Sequence, residues 1–131
     1  MVLLASDNRG FAALIGVLIF GGFCITIATS MVLSATRSMQ TSLAMRQSYE
    51  AKAVAEACAD IALQAIHDDT GYTGTGGTTL GMGTCTYTVT DNGGSTRTVD
   101  VSASVGRIVK TFVITTDQVS PTIHIASWSE I

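Results

Sequence analysis

Cys58 and Cys85 are the residues whose type and spacing point to a definite chemistry. Both lie beyond a long apolar segment, and outside a reducing cytoplasm two such thiols can form a disulfide. The third of the three cysteines, Cys24, lies inside the apolar segment and reads as a small packing residue. The two histidines, His67 and His124, stand far apart in sequence and share no metal-ligand spacing with a cysteine or acid. Asp68, Asp69 and Thr70 do not match a calcium-loop spacing, so they read as a solvated helix end. The glycines between Gly71 and Gly83 follow a helical segment and are not followed by a lysine. A phosphate-cradling loop would follow a strand and open a helix, so this stretch reads as a flexible connector. No nucleophile motif or paired acid suggests catalysis, so neither an enzyme nor a bound cofactor or metal is expected. Trp128 is the best candidate for an exposed contact residue, although an aromatic in a final strand is more often core.

The element that must carry these residues is the uncharged run from Gly10 to Thr36. Residues 11–35 would span about 37 Å as a helix, enough for a hydrocarbon core of about 30 Å. Gly16, Gly21 and Gly22 each weaken such a helix by about 1 kcal/mol relative to Ala. In lipid the helix still wins, because its backbone must satisfy its own hydrogen bonds. Outside lipid, Gly21-Gly22 is where it would stretch or melt. Arg9 precedes the run and Arg37 and Arg46 follow it, a balance that does not set its orientation.

Residues 36–68 contain no Pro or Gly and continue the helix. Arg46–Glu50 and Lys52–Glu56 are i,i+4 pairs worth about 0.3 kcal/mol each. Val54, Cys58, Ile61 and Ala65 fall on one apolar stripe. A continuous helix from Phe11 to Asp68 would be about 87 Å long.

Beyond the connector the pattern alternates. Cys85, Tyr87 and Val89 take one face of a strand, and Thr86, Thr88 and Thr90 the other. Asp91-Asn92-Gly93-Gly94 is a hairpin signal. Val99, Val101, Ala103 and Val105 alternate with polar residues, Gly106 marks the next turn, and 108–115 is a third strand. Pro121 stands at the start of a last strand over 122–128, where a missing N–H matters least. The expected fold class is α+β: a long N-terminal helix packed on a small antiparallel sheet of three to four strands. The domain reading is a leader at 1–10, a transmembrane or filament-core helix at 11–35, an amphipathic helix at 36–68, and a Gly/Thr-rich loop with the sheet at 69–131. A head of roughly 60 residues is near the lower limit for a self-sufficient core. Cys85 on the sheet's apolar face and Cys58 on the helix stripe should therefore meet. A disulfide between them closes a loop of about 28 residues and adds about 3–4 kcal/mol in the chain-entropy model. Two buried thiols are the alternative. The net charge of −3, with 13% charged residues, leaves no nucleic-acid footprint.

Arg9-Gly10-Phe11, the apolar helix behind it and the β-rich head resemble the type IV pilins. With Tyr49-Glu50-Ala51-Lys52-Ala53-Val54-Ala55-Glu56-Ala57, the first half of the chain looks most like the minor-pilin, PilX-like group. The resemblance implies cleavage by a prepilin peptidase between Gly10 and Phe11, with N-methylation of Phe11. It also implies helical filaments built from copies of itself or other pilins, with pilus assembly machinery and the membrane as partners. The expected location is a cell-surface pilus fed from a membrane-inserted pool. Its roles would be attachment, motility or uptake. Ile15 stands where most pilins carry a glutamate that pairs with a neighbour's N-terminal amine. The apolar segment has no proline, and the leader has one base and one acid. These departures tilt towards a minor, tip or divergent subunit. A secretion pseudopilin and a single-pass anchored extracellular binding domain remain alternatives. A secreted protein would need an unusually long signal segment.

Overall fold

Ala, Leu, Met, Gln and Glu dominate residues 36–68, and no proline interrupts the chain before Pro121, so nothing stops the helix once it starts. In the computed structural model, which describes residues 2–131 and the side chains of 8–131, α1 runs Val2–Asp68. It passes through Gly21 and Gly22 without a break. The expected leader therefore lies within α1, with residue 1 and the side chains of 2–7 outside the described residues.

The chain divides into two compact units, Met1–Ser42 and Leu43–Ile131. The second holds the end of α1 and a five-stranded sheet of order β1-β2-β3-β4-β5. The strands are β1 (Gly74–Leu80), β2 (Gly83–Gly93), β3 (Thr96–Val105), β4 (Ile108–Gln118) and β5 (His124–Glu130). Every neighbouring pair is antiparallel. The α+β expectation holds, with five strands instead of three or four.

The extra strand corrects the reading of residues 69–84 as a connector. Gly74–Leu80 is an edge strand, with Gly76 opposite Tyr87 and Gly77 opposite Thr86. Its glycines serve close approach. A Cβ on Gly76 would lie 2.4 Å from the Tyr87 ring, and one on Gly77 2.6 Å from the Cys85 carbonyl oxygen. Glycine abundance, which suggested looseness, here admits an aromatic ring and a neighbouring backbone. Gly81 and Gly106 open two-residue turns with φ of 60° each, leaving Met82 and Arg107 at the tips. The last strand is also displaced. Pro121 lies in the connection, after a cis Ser120–Pro121 bond, and β5 begins at His124.

The alternation in β2 and β3 is as expected. Cys85, Tyr87, Val89, Val99, Val101, Ala103 and Val105 are buried, while the threonines of β2 face outward. Phe112 and Ile114 of β4 complete the sheet's side of the core. The helix stripe is a correction. Its buried residues are Ala51, Ala55, Cys58, Ala59, Ala62 and Ile66. Val54 and Ala65 are half-buried, and Ile61 is 41% exposed. Large side chains dominate any hydropathy reading, but small ones let a helix lie close to a sheet. The alanine face wins because it brings the Cys58 and Cys85 Cα atoms to 6.2 Å, within disulfide range. Those two residues form the expected bond.

The buried Arg97 joins three segments. Its Nη1 donates to Asp91 Oδ1 at 2.7 Å and to the Gly94 and Thr96 carbonyls. Its Nη2 donates to the Thr70 carbonyl at 3.0 Å, so the segment after α1 is tied to the β2–β3 hairpin. Nε is buried without a partner. Beside this end of the sheet, a hydrogen bond in which the Tyr87 hydroxyl donates to Tyr72, together with burial, raises the Tyr87 phenol above its ordinary pKa.

Two outcomes follow for the full chain in detergent, read by denaturant unfolding with the single Trp128 as fluorophore. Replacing both Cys58 and Cys85 by Ala should lower unfolding stability by about 3–4 kcal/mol; a loss under about 1 kcal/mol would show that the bond is no clamp. Arg97→Met should cost about 1–3 kcal/mol, and Arg97→Lys should recover little, because an ammonium cannot serve Asp91 and Thr70 together as the guanidinium fork does.

Candidate functional site

Phe11, Leu14, Val17, Leu18, Phe20 and Phe23 lie on the first unit's helix, all more than half exposed. At about 100° per residue these positions are spread around much of the helix, so the apolar surface has no polar side to turn towards water. This helix is long and apolar enough to cross a membrane, and none of its most apolar window is buried within the chain.

Three of its hydroxyls are satisfied internally. Thr26 Oγ1 donates to the Phe23 carbonyl at 2.8 Å, and Ser30 Oγ to the Ile27 carbonyl at 2.8 Å. Thr29 Oγ1 reaches the Ile25 and Thr26 carbonyls, both at 3.0 Å. A hydroxyl bonded to its own preceding turn adds no unpaired donor to an apolar surrounding. Each can enter lipid, or the space between helices, at little desolvation cost.

Small residues shape the surface. A Cβ placed on Gly16, Gly21 or Gly22 would meet nothing within 4 Å. Shallow concavities lie at Ile19, Gly22, Phe23 and Thr26, and at Ala28, Thr29, Val32 and Leu33. Small residues in such positions allow a neighbouring helix to approach closely. Cys24 is a free, exposed thiol on this surface.

Gly10 and Phe11 are both in α1 and exposed, Phe11 by 64%. Ile15 is also exposed, with no carboxylate at its position.

The remaining candidates are distributed over the second unit. His67 lies 3.6 Å from Asp68, and His124 Nδ1 lies 2.7 Å from Asp117, each at an exposed carboxylate. Asp69 accepts the Gly71 N–H at 2.9 Å, which makes it a turn residue. Trp128 is 43% exposed and packs edge-on against Phe112, with ring centroids 6.1 Å apart. It is half core and half surface. Arg46–Glu50 forms at 2.9 Å. The expected Lys52–Glu56 pair is absent among the described ion pairs, and the Lys52 charge acts on Glu130. Glu130 accepts a hydrogen bond from Lys110, which holds its carboxyl below the ordinary value.

The sequence reading passed over Met82, which is 89% exposed at the tip of the β1–β2 turn. A cleft of about 360 Å³ beside it is lined by Glu50, Val54, Leu80 and Val105. The Gly81-Met82-Gly83 signal was present, but it has meaning only once Gly74–Leu80 is recognised as a strand.

The surface that most requires an explanation is thus the apolar helix, not a cleft. In comparisons with protein family models, curated proteins and solved structures, nothing matches the chain.

Proposed function

We propose that the chain is a structural subunit of a type IV pilus or a closely related filament, acting in surface attachment, motility or uptake. The observation that carries this reading is the helix from Phe11 to Ala35, apolar on every side and uncovered by any part of its own chain. Burying each large side chain is worth about 1.5–3 kcal/mol, so together they dwarf any single contact elsewhere. A bilayer meets that demand for an isolated subunit. Packing against the same helix of neighbouring subunits meets it in a filament. The internally bonded hydroxyls of Thr26, Thr29 and Ser30 and the open surfaces at Gly16, Gly21 and Gly22 suit either surrounding.

On this reading a prepilin peptidase removes residues 1–10 and Phe11 becomes the methylated N-terminus. Gly10 suits the cut. It lowers local helix stability by about 1 kcal/mol relative to Ala, which eases the unwinding a peptidase needs. The mature chain waits in the membrane and then joins its own kind or other pilins through the assembly machinery. Ile15 tilts this reading towards a minor, tip or divergent subunit, and a single-pass anchored binding domain is the second reading. With no carboxylate there, one means of holding a neighbour's amine is missing.

The mature terminus separates the readings. Intact mass and N-terminal sequencing of the membrane-extracted chain should show a start at Phe11 with one added methyl group, and Gly10→Leu should keep the chain uncut. A wild-type chain still beginning at Met1 would favour the anchored domain, and one beginning near Met31 a secreted protein. Electron microscopy should then show filaments containing the chain.

A further inference from the structure

The charges of the second unit are sorted along its length. At the Leu43 end, the Met82 turn and the Gly106-Arg107 turn lie beside Arg46 and Glu50. Lys110 and Glu130 pair at this end, with Lys52 close enough to act on Glu130. The bases Arg46, Lys52, Arg107 and Lys110 thus outnumber the acids Glu50 and Glu130. Towards the Asp68 end the sign reverses. The helix carries Glu56, Asp60 and Asp68, and Asp69 follows it, all exposed. The sheet adds Asp91, Asp100 and Asp117, while the only Lys or Arg in this half is the buried Arg97, already spent on Asp91. His67 and His124 each sit against an acid, Asp68 and Asp117, and offset them only when protonated.

Each end also has an apolar feature. The basic end projects Met82, and an unbranched thioether adapts readily to an apolar recess. The acidic half has an open groove of about 410 Å³, where Leu63, Pro121 and Ile123 lie beside Asp60 and His67.

We infer that the second unit binds a second copy of this chain head to tail, with the Met82 turn of one copy seated in the Leu63–Ile123 groove of the next. The bases around the turn then face the acids around the groove. Charge decides the pairing. A symmetric contact of two basic ends, or of two acidic ends, would bring like charges together, and like-charge juxtaposition costs several kcal/mol. A head-to-tail contact leaves one turn and one groove free at its extremities, so it adds further copies beyond a dimer, as an open chain or a ring. This contact rests on the polymer reading above and supplies it with a specific junction between heads.

The test is cross-linking of the full-length chain in detergent micelles, with Cys24→Ala removing the free thiol. Met82→Cys and Thr122→Cys are introduced together, both at exposed positions that leave the core untouched. Mild oxidation should give a reducible ladder of oligomers. Adding Arg107→Glu and Lys52→Glu should reduce the ladder at least about tenfold, as should raising salt to about 0.5 M. Met82→Cys with Gln64→Cys should repeat the result from the other side of the groove. A product that stops at the dimer would overturn the head-to-tail geometry in favour of a closed antiparallel pair. No cross-link, or a ladder indifferent to the charge reversals, would overturn the contact. Filaments without the ladder would remove this contact and leave the polymer reading standing, whereas a ladder without filaments in cells would do the reverse.

Discussion

The contact between the alanine face of α1 and the sheet governs the second unit. Ala51, Ala55, Ala59 and Ala62 bring little apolar area of their own. Their contribution is closeness. A helix faced with methyl groups can lie against Val99, Val101, Phe112 and Ile114, and those larger side chains fill the layer from the sheet's side. At that separation Cys58 and Cys85 are within reach of each other, and the bond then holds the layer together.

Arg97 has a comparable role at the end of the sheet. Tyr72 packs the segment after α1 against the core, and one guanidinium connects Thr70 to the β2–β3 hairpin. An arginine suits this position because its fork serves an exposed carboxylate and a backbone carbonyl together. Gly76 and Gly77 contribute by absence of side chain. One admits the Tyr87 ring and the other the β2 backbone, so the first strand is held by fit in place of bulk.

The first unit obeys the opposite rule. Among the described residues nothing covers its most apolar window, and the hydroxyls of Thr26, Thr29 and Ser30 are turned onto its own backbone. The second unit covers an apolar core between helix and sheet and presents threonines and unevenly sorted charges outward, with Met82 and Val109 among its exposed apolar side chains. The first unit thus presents an apolar surface and the second a largely polar and charged one. The filament proposed for this chain would draw on that division, as would persistence in a membrane.

The sequence by itself determined what depends on local pattern. The uncharged run established the apolar helix, period-two alternation identified the inner faces of β2 and β3, and Asp91 to Gly94 marked their turn. The placing of Cys58 and Cys85 on facing surfaces was legible from the same two periodicities. The tertiary structure decided what depends on distance. Whether Ile61 or the alanines face the sheet is a matter of how near the helix lies, which no hydropathy pattern contains. That Gly74–Leu80 is a strand depends on Tyr87 and the Cys85 carbonyl, residues with no local trace in the glycine-rich stretch. The burial of Arg97, the exposure of Met82 and the separation of charge along the second unit arise only when segments distant in sequence are brought side by side. Periodicity reports which faces a segment has; only packing selects the face that is covered and the neighbours it meets.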